Sequence, residues 1–296
     1  MLKHRNAAGQ RDGRRRGQEA AGAASGFRTG STRDPSDVGR ELLDRPLSAR
    51  SIILSLLLGR RSASAPVAQL VSWCGLFGIP EGTARVALSR AVAAGELRSD
   101  HGSYAIVGRL RERQAEQELA LVIDPARPAE WDGTWRLALV EARRREAADR
   151  GAFRTAADHL HLAELREGVW GRPDNLGGRS PSSASDDVVA AQATWWTGAV
   201  PPGDPRALAE SAWGLGAMRD RGEMLERRLG AVMAELTDDR LAEAFVVGAA
   251  VAQFLRRDPL LPAELLPARW PGDALRVGYH AYRRDFGAAV AGWFSD

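Results

Sequence analysis

Apolar residues recur at helical spacing in three consecutive stretches in the first half of the chain. The first is "SIILSLLLG" at 51–59, which follows Ser48 as a possible helix cap. The second begins after Ser64 and has Pro66 in its first turn. The third is "GIPEGTARVALSRAVAAGEL" at 78–97, in which Pro80 stands where a helix would begin and Gly95 where it would end. The pattern therefore predicts three short helices in succession.

Two short runs of strand-forming residues follow the third helix. They flank Asp100-His101-Gly102, a typical turn sequence, in the stretch "ELRSDHGSYAIVGR". Three helices, a tight connection and a terminal hairpin are the order of a winged helix-turn-helix, which we assign to residues 44–108.

The pattern changes after this region. An exposed connecting helix is predicted over 109–125, and a small α+β unit over 126–203. The predicted elements of that unit are a strand at Trp135–Val140, a helix at Arg143–Leu165, a strand region at "REGVWGRP", a loop at 174–187 and a strand at 188–200.

The two ends of the chain differ sharply in composition. Residues 204–296 are predicted to be all-α, with helices at Ala207–Leu236, Asp238–Arg257 and Ala274–Phe294. Residues 1–43 are rich in Gly, Ser, Ala and Arg with few large apolar side chains, which predicts a disordered basic tail.

Positive charge is concentrated in the front of the chain. Residues 45–113 hold ten arginines against four acids, whereas residues 114–296 have a net charge of −6 in a chain whose total is +3. This asymmetry favours contact between the front part and a polyanion, although an uneven distribution of arginine without functional meaning gives the same counts.

The third predicted helix has an outer face with short side chains and few acids. Advancing by 100° per residue places Ala84, Ala87, Leu88, Ala91 and Val92 inward. Short side chains permit close approach to base edges, and arginines donate to guanine or phosphate. A plain solvated face remains the alternative. The candidate DNA-binding residues on this helix are Thr83, Arg85, Val86, Ser89 and Arg90.

The predicted hairpin supplies further candidates. Arg98, His101, Ser103 and Tyr104 are placed to contact phosphate or the minor groove, while Asp100 at the tip argues against a strongly basic wing.

Other classes of protein lack support in the sequence. No apolar run reaches the length of a membrane span, and the single Cys74 excludes a disulfide framework, so we expect a cytoplasmic protein without a membrane partner. No nucleotide-binding, metalloprotease or serine-hydrolase motif is present. We therefore expect no enzyme activity, no metal and no cofactor.

Three stretches resemble the PaaX family of bacterial transcriptional repressors. The stretch 78–97 is similar to the family motif G-I-x-E-x-x-x-R-x-A-L-S-R-L-x-x-x-G-x-L, with Ala91 in place of the usual Leu. "WDGTWRLALVE" with "LREGVWGRP" resembles the family's middle domain, and "FLRRDPLLPAELLPARWPG" at 254–272 resembles its C-terminal signature. Departures are a wing without the usual arginines, "EARRR" after the first middle strand, and a Gly/Ser loop in place of a second middle helix.

The resemblance implies a fold and a function. The fold is α+β, with a winged helix-turn-helix, a ferredoxin-like middle domain over 126–203 and an all-α C-terminal domain. The function is that of a homodimeric repressor that binds a double-stranded DNA operator through Arg85, Ser89 and Arg90. A small effector, such as an acyl- or aryl-CoA, would release it; the inducer of the family's namesake is phenylacetyl-CoA.

Two alternatives stay open at this point. One is a degenerate family member that binds DNA weakly or acts as an interaction protein. The other is a metal-dependent nuclease built on the ferredoxin-like unit. A nuclease of that kind needs an Asp at the end of the first strand, whereas the strand "WRLALV" ends in Glu141 and no second carboxylate is evident.

Overall fold

The computed structural model describes residues 34–60, 62–108, 110–111, 131–141, 146–176 and 183–295. The predicted connecting helix lies almost wholly outside these residues, as do residues 1–33 of the predicted tail.

The front part of the chain alternates helices with short strands. Its elements are α1 (Pro35–Leu42), α2 (Ala49–Gly59), β1 (Ser64–Pro66), α3 (Val67–Gly75), α4 (Glu81–Ala93), β2 (Leu97–Asp100) and β3 (Ser103–Ile106). The strands form an antiparallel sheet in the order β1-β3-β2, so the predicted hairpin is confirmed. Strand β1 was not predicted. Its three residues have the pattern of a helix start, but they pair with β3, which lies 37 to 41 positions further along the chain.

Helix α1 lies within the segment for which we predicted disorder, and that prediction is wrong for residues 35–42. Asp34 caps the helix by accepting a hydrogen bond from the Ser36 backbone N–H at 2.8 Å. Val38 and Leu42, one helical turn apart, are buried in the core that the helix shares with the C-terminal part. Two apolar residues one turn apart are enough to anchor this helix, because the C-terminal part of the chain covers them.

A second antiparallel sheet follows, with strand order β5-β6-β4-β7. Helix α5 connects β4 to β5, and α6 connects β6 to β7; one face of the sheet packs against side chains of both helices. The elements are β4 (Trp135–Val140), α5 (Ala147–His159), β5 (Ala163–Arg166), β6 (Val169–Pro173), α6 (Ser183–Ala190) and β7 (Ala193–Ala199).

Three predictions for this unit need correction. The helix predicted over 143–165 ends at His159, because His161 adopts a positive φ of 54° and the chain then enters β5. The stretch 174–187, predicted as loop, contains the beginning of α6, and the strand predicted from 188 begins only at Ala193. The second helix that the Gly/Ser composition argued against is therefore present.

The C-terminal part is helical, as predicted. It consists of α7 (Pro205–Trp213), α8 (Leu215–Ala234), α9 (Leu241–Arg257) and α10 (Gly272–Trp293), with 3₁₀ turns at Asp238–Arg240 and Ala263–Leu265. The single helix predicted over 207–236 is two helices, separated at Gly214, whose φ of 63° ends α7 in the left-handed conformation. Within the described ranges, no helix combines the length and apolar character needed to span a bilayer.

An aromatic cluster joins the front part to the C-terminal helices. Trp73 of α3 is fully buried, and its ring centroid lies 5.7 Å from that of Phe245 on α9. Phe286 and Trp293 of α10 lie 6.2 and 5.9 Å from the same ring. Side chains from α1–α4 and α8–α10 therefore form one continuous hydrophobic core, which fixes the orientation of the front helices on the rest of the chain.

A buried polar network joins the second sheet to the segment after α9. Arg172 of β6 is 5% exposed and donates from Nη2 to the Leu260 carbonyl at 3.1 Å and to Asn175 Oδ1 at 2.9 Å. Asn175 donates to the same carbonyl at 2.9 Å. Close by in sequence, the buried Asp258 accepts from Arg276 of α10 at 2.7 Å. The "GRPDN" stretch and the "RRDPLLP" stretch thus meet in space.

This network makes folding stability sensitive to pH through His161. Burial, followed by the charges of Arg172 and Arg276, lowers the pKa of His161 to about 3, although the residue keeps some solvent exposure. In the unfolded chain His161 binds a proton near pH 6.5, whereas in the folded chain it stays neutral down to about pH 3. The free energy of unfolding therefore falls as the pH falls from 6.5 towards 3. We expect His161→Asn, which tolerates the positive φ, to lose less stability than the wild type between pH 7 and pH 5. Urea unfolding at both pH values measures this, and equal losses in the two proteins would contradict it.

Candidate nucleic-acid interface

Helix α4 begins and ends where the sequence predicted. Pro80 is the residue before its first turn, and Gly78 and Gly95 on either side of the helix adopt φ values of 68° and 70°. Its inward face packs against α2 and α3 through Ala84, Leu88 and Ala91, which are at most 2% exposed. The Ala91 that departs from the family motif is thus a buried contact of this helix.

The five α4 residues predicted to contact DNA share the opposite face. All are exposed, and they are Thr83, Arg85, Val86, Ser89 and Arg90. Val86, at 50% exposure, is apolar yet open to solvent. Val92 was predicted inward but is 36% exposed, because the side of α4 on which it lies is only partly covered. The outer face is therefore wider than predicted, and its surface is a mixture of small, apolar and cationic side chains.

The two arginines of this face have different environments. The Arg85 Nε–H donates to Glu81 Oε1 at 2.7 Å across one helical turn. In the part of the chain that the structure describes, no carboxylate lies within ion-pair distance of Arg90. With about 100° per residue, the two guanidinium groups emerge from opposite flanks of the exposed face and frame the short side chains between them.

The hairpin residues divide into two groups. His101 and Gly102 form the turn with φ values of 44° and 79°, as a two-residue turn between right-twisted strands requires. The His101 side chain is 98% exposed, with its Nδ1 2.5 Å from Asp100 Oδ1, and Arg98 is also exposed. Ser103 and Tyr104 are only partly exposed, and Tyr104 packs against the hydrophobic core. Arg98 and His101 are thus the accessible candidates of this element.

An ion pair that sequence reasoning missed joins the start of α2 to the turn after α4. Arg50 Nε donates to Glu96 Oε2 at 2.8 Å, and Nη2 contacts the other carboxylate oxygen. The hydrogen bond to Glu96 raises the pKa of Arg50. Because a two-point contact fixes both side chains, it helps to hold α4 against α2. The residues are 46 positions apart, so no local pattern indicates their contact.

Among the residues that the structure describes, no group of three or more His, Cys, Asp or Glu side chains is placed to hold a metal ion.

Comparisons with known proteins match both ends of the described structure. The model of PaaX-like proteins matches residues 48–113, and the model of the PaaX-like protein C-terminal domain matches 213–295. The transcriptional repressor PaaX of Escherichia coli (strain K12) is 29% identical over 284 residues, with 83% of each chain covered. A solved structure, the uncharacterized protein Rv0674 from Mycobacterium tuberculosis, is 39% identical with a TM-score of 0.62, and covers 83% of this chain and 98% of its own. The matched regions hold α2–β3 and α8–α10, in the same order as the sequence motifs. The chain belongs to the PaaX family.

Proposed function

We propose that this protein is a DNA-binding transcriptional repressor in which the outer face of α4 reads the major groove. The observation that carries the proposal is that face: exposed, framed by Arg85 and Arg90, and built of short side chains between them. An α-helix with such a surface fits a major groove about 12 Å wide. The E. coli relative is a transcriptional repressor by its name, which supports repression as the outcome of binding.

The order of elements around α4 supports a winged helix-turn-helix. Helices α2, α3 and α4 are followed by a hairpin, and β1 between the first two helices completes a three-stranded sheet. In this arrangement α4 is the recognition helix and the β2–β3 hairpin is the wing. Arg98 and His101 at the surface of the wing contact the phosphate backbone, whereas Tyr104 supports the wing from beneath.

The remainder of the chain completes the proposal. The strand order β5-β6-β4-β7, with helices in both crossovers, supports a ferredoxin-like fold for the middle part. The protein acts in the cytoplasm as a homodimer that binds two half-sites about one helical turn apart. A small effector, such as an acyl- or aryl-CoA, shifts the population away from the DNA-competent state. The proposal includes no catalytic step and no cofactor.

We expect the replacement of the α4 arginines by alanine to weaken binding to a selected DNA site. The site is first obtained by selection from a random duplex library with the wild-type protein. Arg85→Ala or Arg90→Ala should each lower affinity by about tenfold or more if the arginine contacts a base, since such contacts are worth about 1–3 kcal/mol. If either contacts only phosphate, the slope of log affinity against log salt should fall by about 1.

A matched control distinguishes these effects from a general loss of positive charge. Arg154 is exposed on α5 in the middle part, so Arg154→Ala removes the same charge far from α4 in sequence and should leave DNA affinity nearly unchanged. Equal losses in all three variants, or a wild-type protein that enriches no sequence, would overturn the proposal.

A degenerate member that binds DNA weakly is the competing interpretation. Two sequence features favour it, namely the loop predicted over 174–187 and Asp100 in the wing. The first of these is weakened by the presence of α6, while Asp100 does lie at the wing tip beside His101. A ratio of specific to non-specific affinity below about a thousand for the wild-type protein would favour this alternative.

A further inference from the structure

Helix α4 carries one acidic residue, at a position where a carboxylate opposes DNA binding. Glu81 is the first residue of the helix, and its side chain is 61% exposed. A negative charge here repels the phosphate backbone. A purely electrostatic DNA-binding surface gains nothing from this residue, so its contacts indicate what else it does.

Glu81 occupies one particular donor of Arg85. A guanidinium has five N–H donors, one on Nε and two on each terminal nitrogen. The contact to Glu81 is made by Nε at 2.7 Å. Among the described residues, no acceptor is bonded to either Nη group of Arg85. The pair therefore leaves the two terminal nitrogens free, and these can donate together to the O6 and N7 acceptors of a guanine.

Holding Arg85 in this way lowers the cost of forming that contact. A free arginine side chain loses rotamer freedom when it binds, and a side chain already fixed by a neighbour loses less. Repulsion between the carboxylate and the phosphates is present on every DNA sequence and cancels in the ratio of specific to non-specific affinity. The fixed position of Arg85 is therefore what raises this ratio.

We propose that Glu81 is a specificity-determining residue, which positions the Arg85 guanidinium for a guanine. The inference rests on the proposed DNA-binding function of α4. A carboxylate in the first turn also interacts favourably with the helix N-terminus and with a residue four positions on, and this would be its whole role if the pair were only structural.

The test compares two DNA probes. One is a duplex carrying the site selected by the wild-type protein, and the other is a scrambled duplex of the same composition. We expect Glu81→Gln to bind the scrambled duplex several-fold more tightly, because a negative charge is removed. The ratio of specific to non-specific affinity should fall by about two- to threefold, the scale of an exposed ion pair four residues apart on a helix. A repeated selection with the variant should show a weakened guanine preference at one position in each half-site. A merely structural helix contact would not change that preference.

Asp100 provides the matched control. It is an exposed acid of the same module, but its described partner is His101 of the wing rather than an α4 arginine. Asp100→Asn should raise the affinity for both duplexes by the same factor and leave the ratio unchanged. The proposal is overturned if Glu81→Gln behaves in the same way, since the residue would then contribute only its charge.

A double-variant cycle identifies the residue through which Glu81 acts. In the Arg85→Ala background, Glu81→Gln should change the ratio no further, because its target is gone. An undiminished change in that background would overturn the positioning role. If the wild type enriches no sequence, the proposed function fails and this role falls with it. If the wild type enriches a site but the ratio is insensitive to Glu81→Gln, this inference alone fails.

Discussion

Replacing Arg172 with methionine is expected to lower the free energy of unfolding by about 3 kcal/mol. Among the described residues, the hydrogen bonds of this guanidinium all go to neutral oxygens. Burial lowers its pKa to about 10, a cost of burying the charge that methionine relieves, so the expected loss comes from the acceptors that lose their donor. Methionine fills much of the space but leaves the Leu160 and Pro173 carbonyls and Asn175 Oδ1 without this donor. Urea unfolding measures the loss. We expect Arg172→Lys to recover only part of it, because an ammonium cannot reproduce the planar fork.

Arg166 supplies the matched control for this prediction. It lies in the adjacent strand β5 and is exposed, so Arg166→Met should change the free energy of unfolding by no more than about 0.5 kcal/mol. If Arg172→Met also stayed within about 1 kcal/mol, water would be replacing the guanidinium, and the buried network would not be what joins the second sheet to the segment after α9.

The second large effect is expected at Gly248, in the middle of α9. A Cβ atom built on this residue would overlap the ring of Tyr282 on α10, which is 5% exposed and has little room to move. Gly248→Ala should therefore force the two helices apart and lower the free energy of unfolding by about 3 kcal/mol, despite the higher helix propensity of alanine. Thermal and urea unfolding both report this change.

Gly230 of α8 is the matched control, because a Cβ there meets no atom within 4 Å. Gly230→Ala should stabilise the protein by about 0.5–1 kcal/mol through helix propensity alone. The loss in free energy of unfolding for Gly248→Ala combined with Tyr282→Leu should be smaller than the sum of the two single losses, because the smaller leucine leaves room for the new Cβ atom. Strict additivity would show that the helices do not meet at these two residues.

Most elements of the front part of the chain were predicted from the sequence, because the residues that begin, end and orient them lie close together in the chain. Pro80 and Gly95 bound α4, and the alternation of alanine and leucine with polar residues identifies its buried face. The turn at His101–Gly102 requires positive φ, which the dipeptide supplies at low cost. What was missed here is β1, whose three residues pair with β3 far along the chain.

The helix boundaries of the middle part were harder to predict, because the residues at these boundaries are compatible with more than one secondary structure. The helix predicted through Leu165 has no glycine or proline to end it after His159, and only pairing of β5 with β6 decides that the chain turns there. In the same way, α6 begins in a Ser-rich stretch that is typical of loops, and its buried Val189 is covered by the sheet.

Local sequence patterns are sufficient to predict helices α2–α4, the β2–β3 hairpin, the helical character of the C-terminal part and the surface that α4 presents, because helix periodicity and turn chemistry are properties of neighbouring residues. Which segments of the chain meet depends on long-range packing. It places Trp73 among the C-terminal aromatic residues, joins "GRPDN" to "RRDPLLP" through Arg172, and folds the end of a disordered-looking tail into α1. These contacts join residues far apart in the chain, and their stability comes from burial against a partner surface that no local pattern encodes.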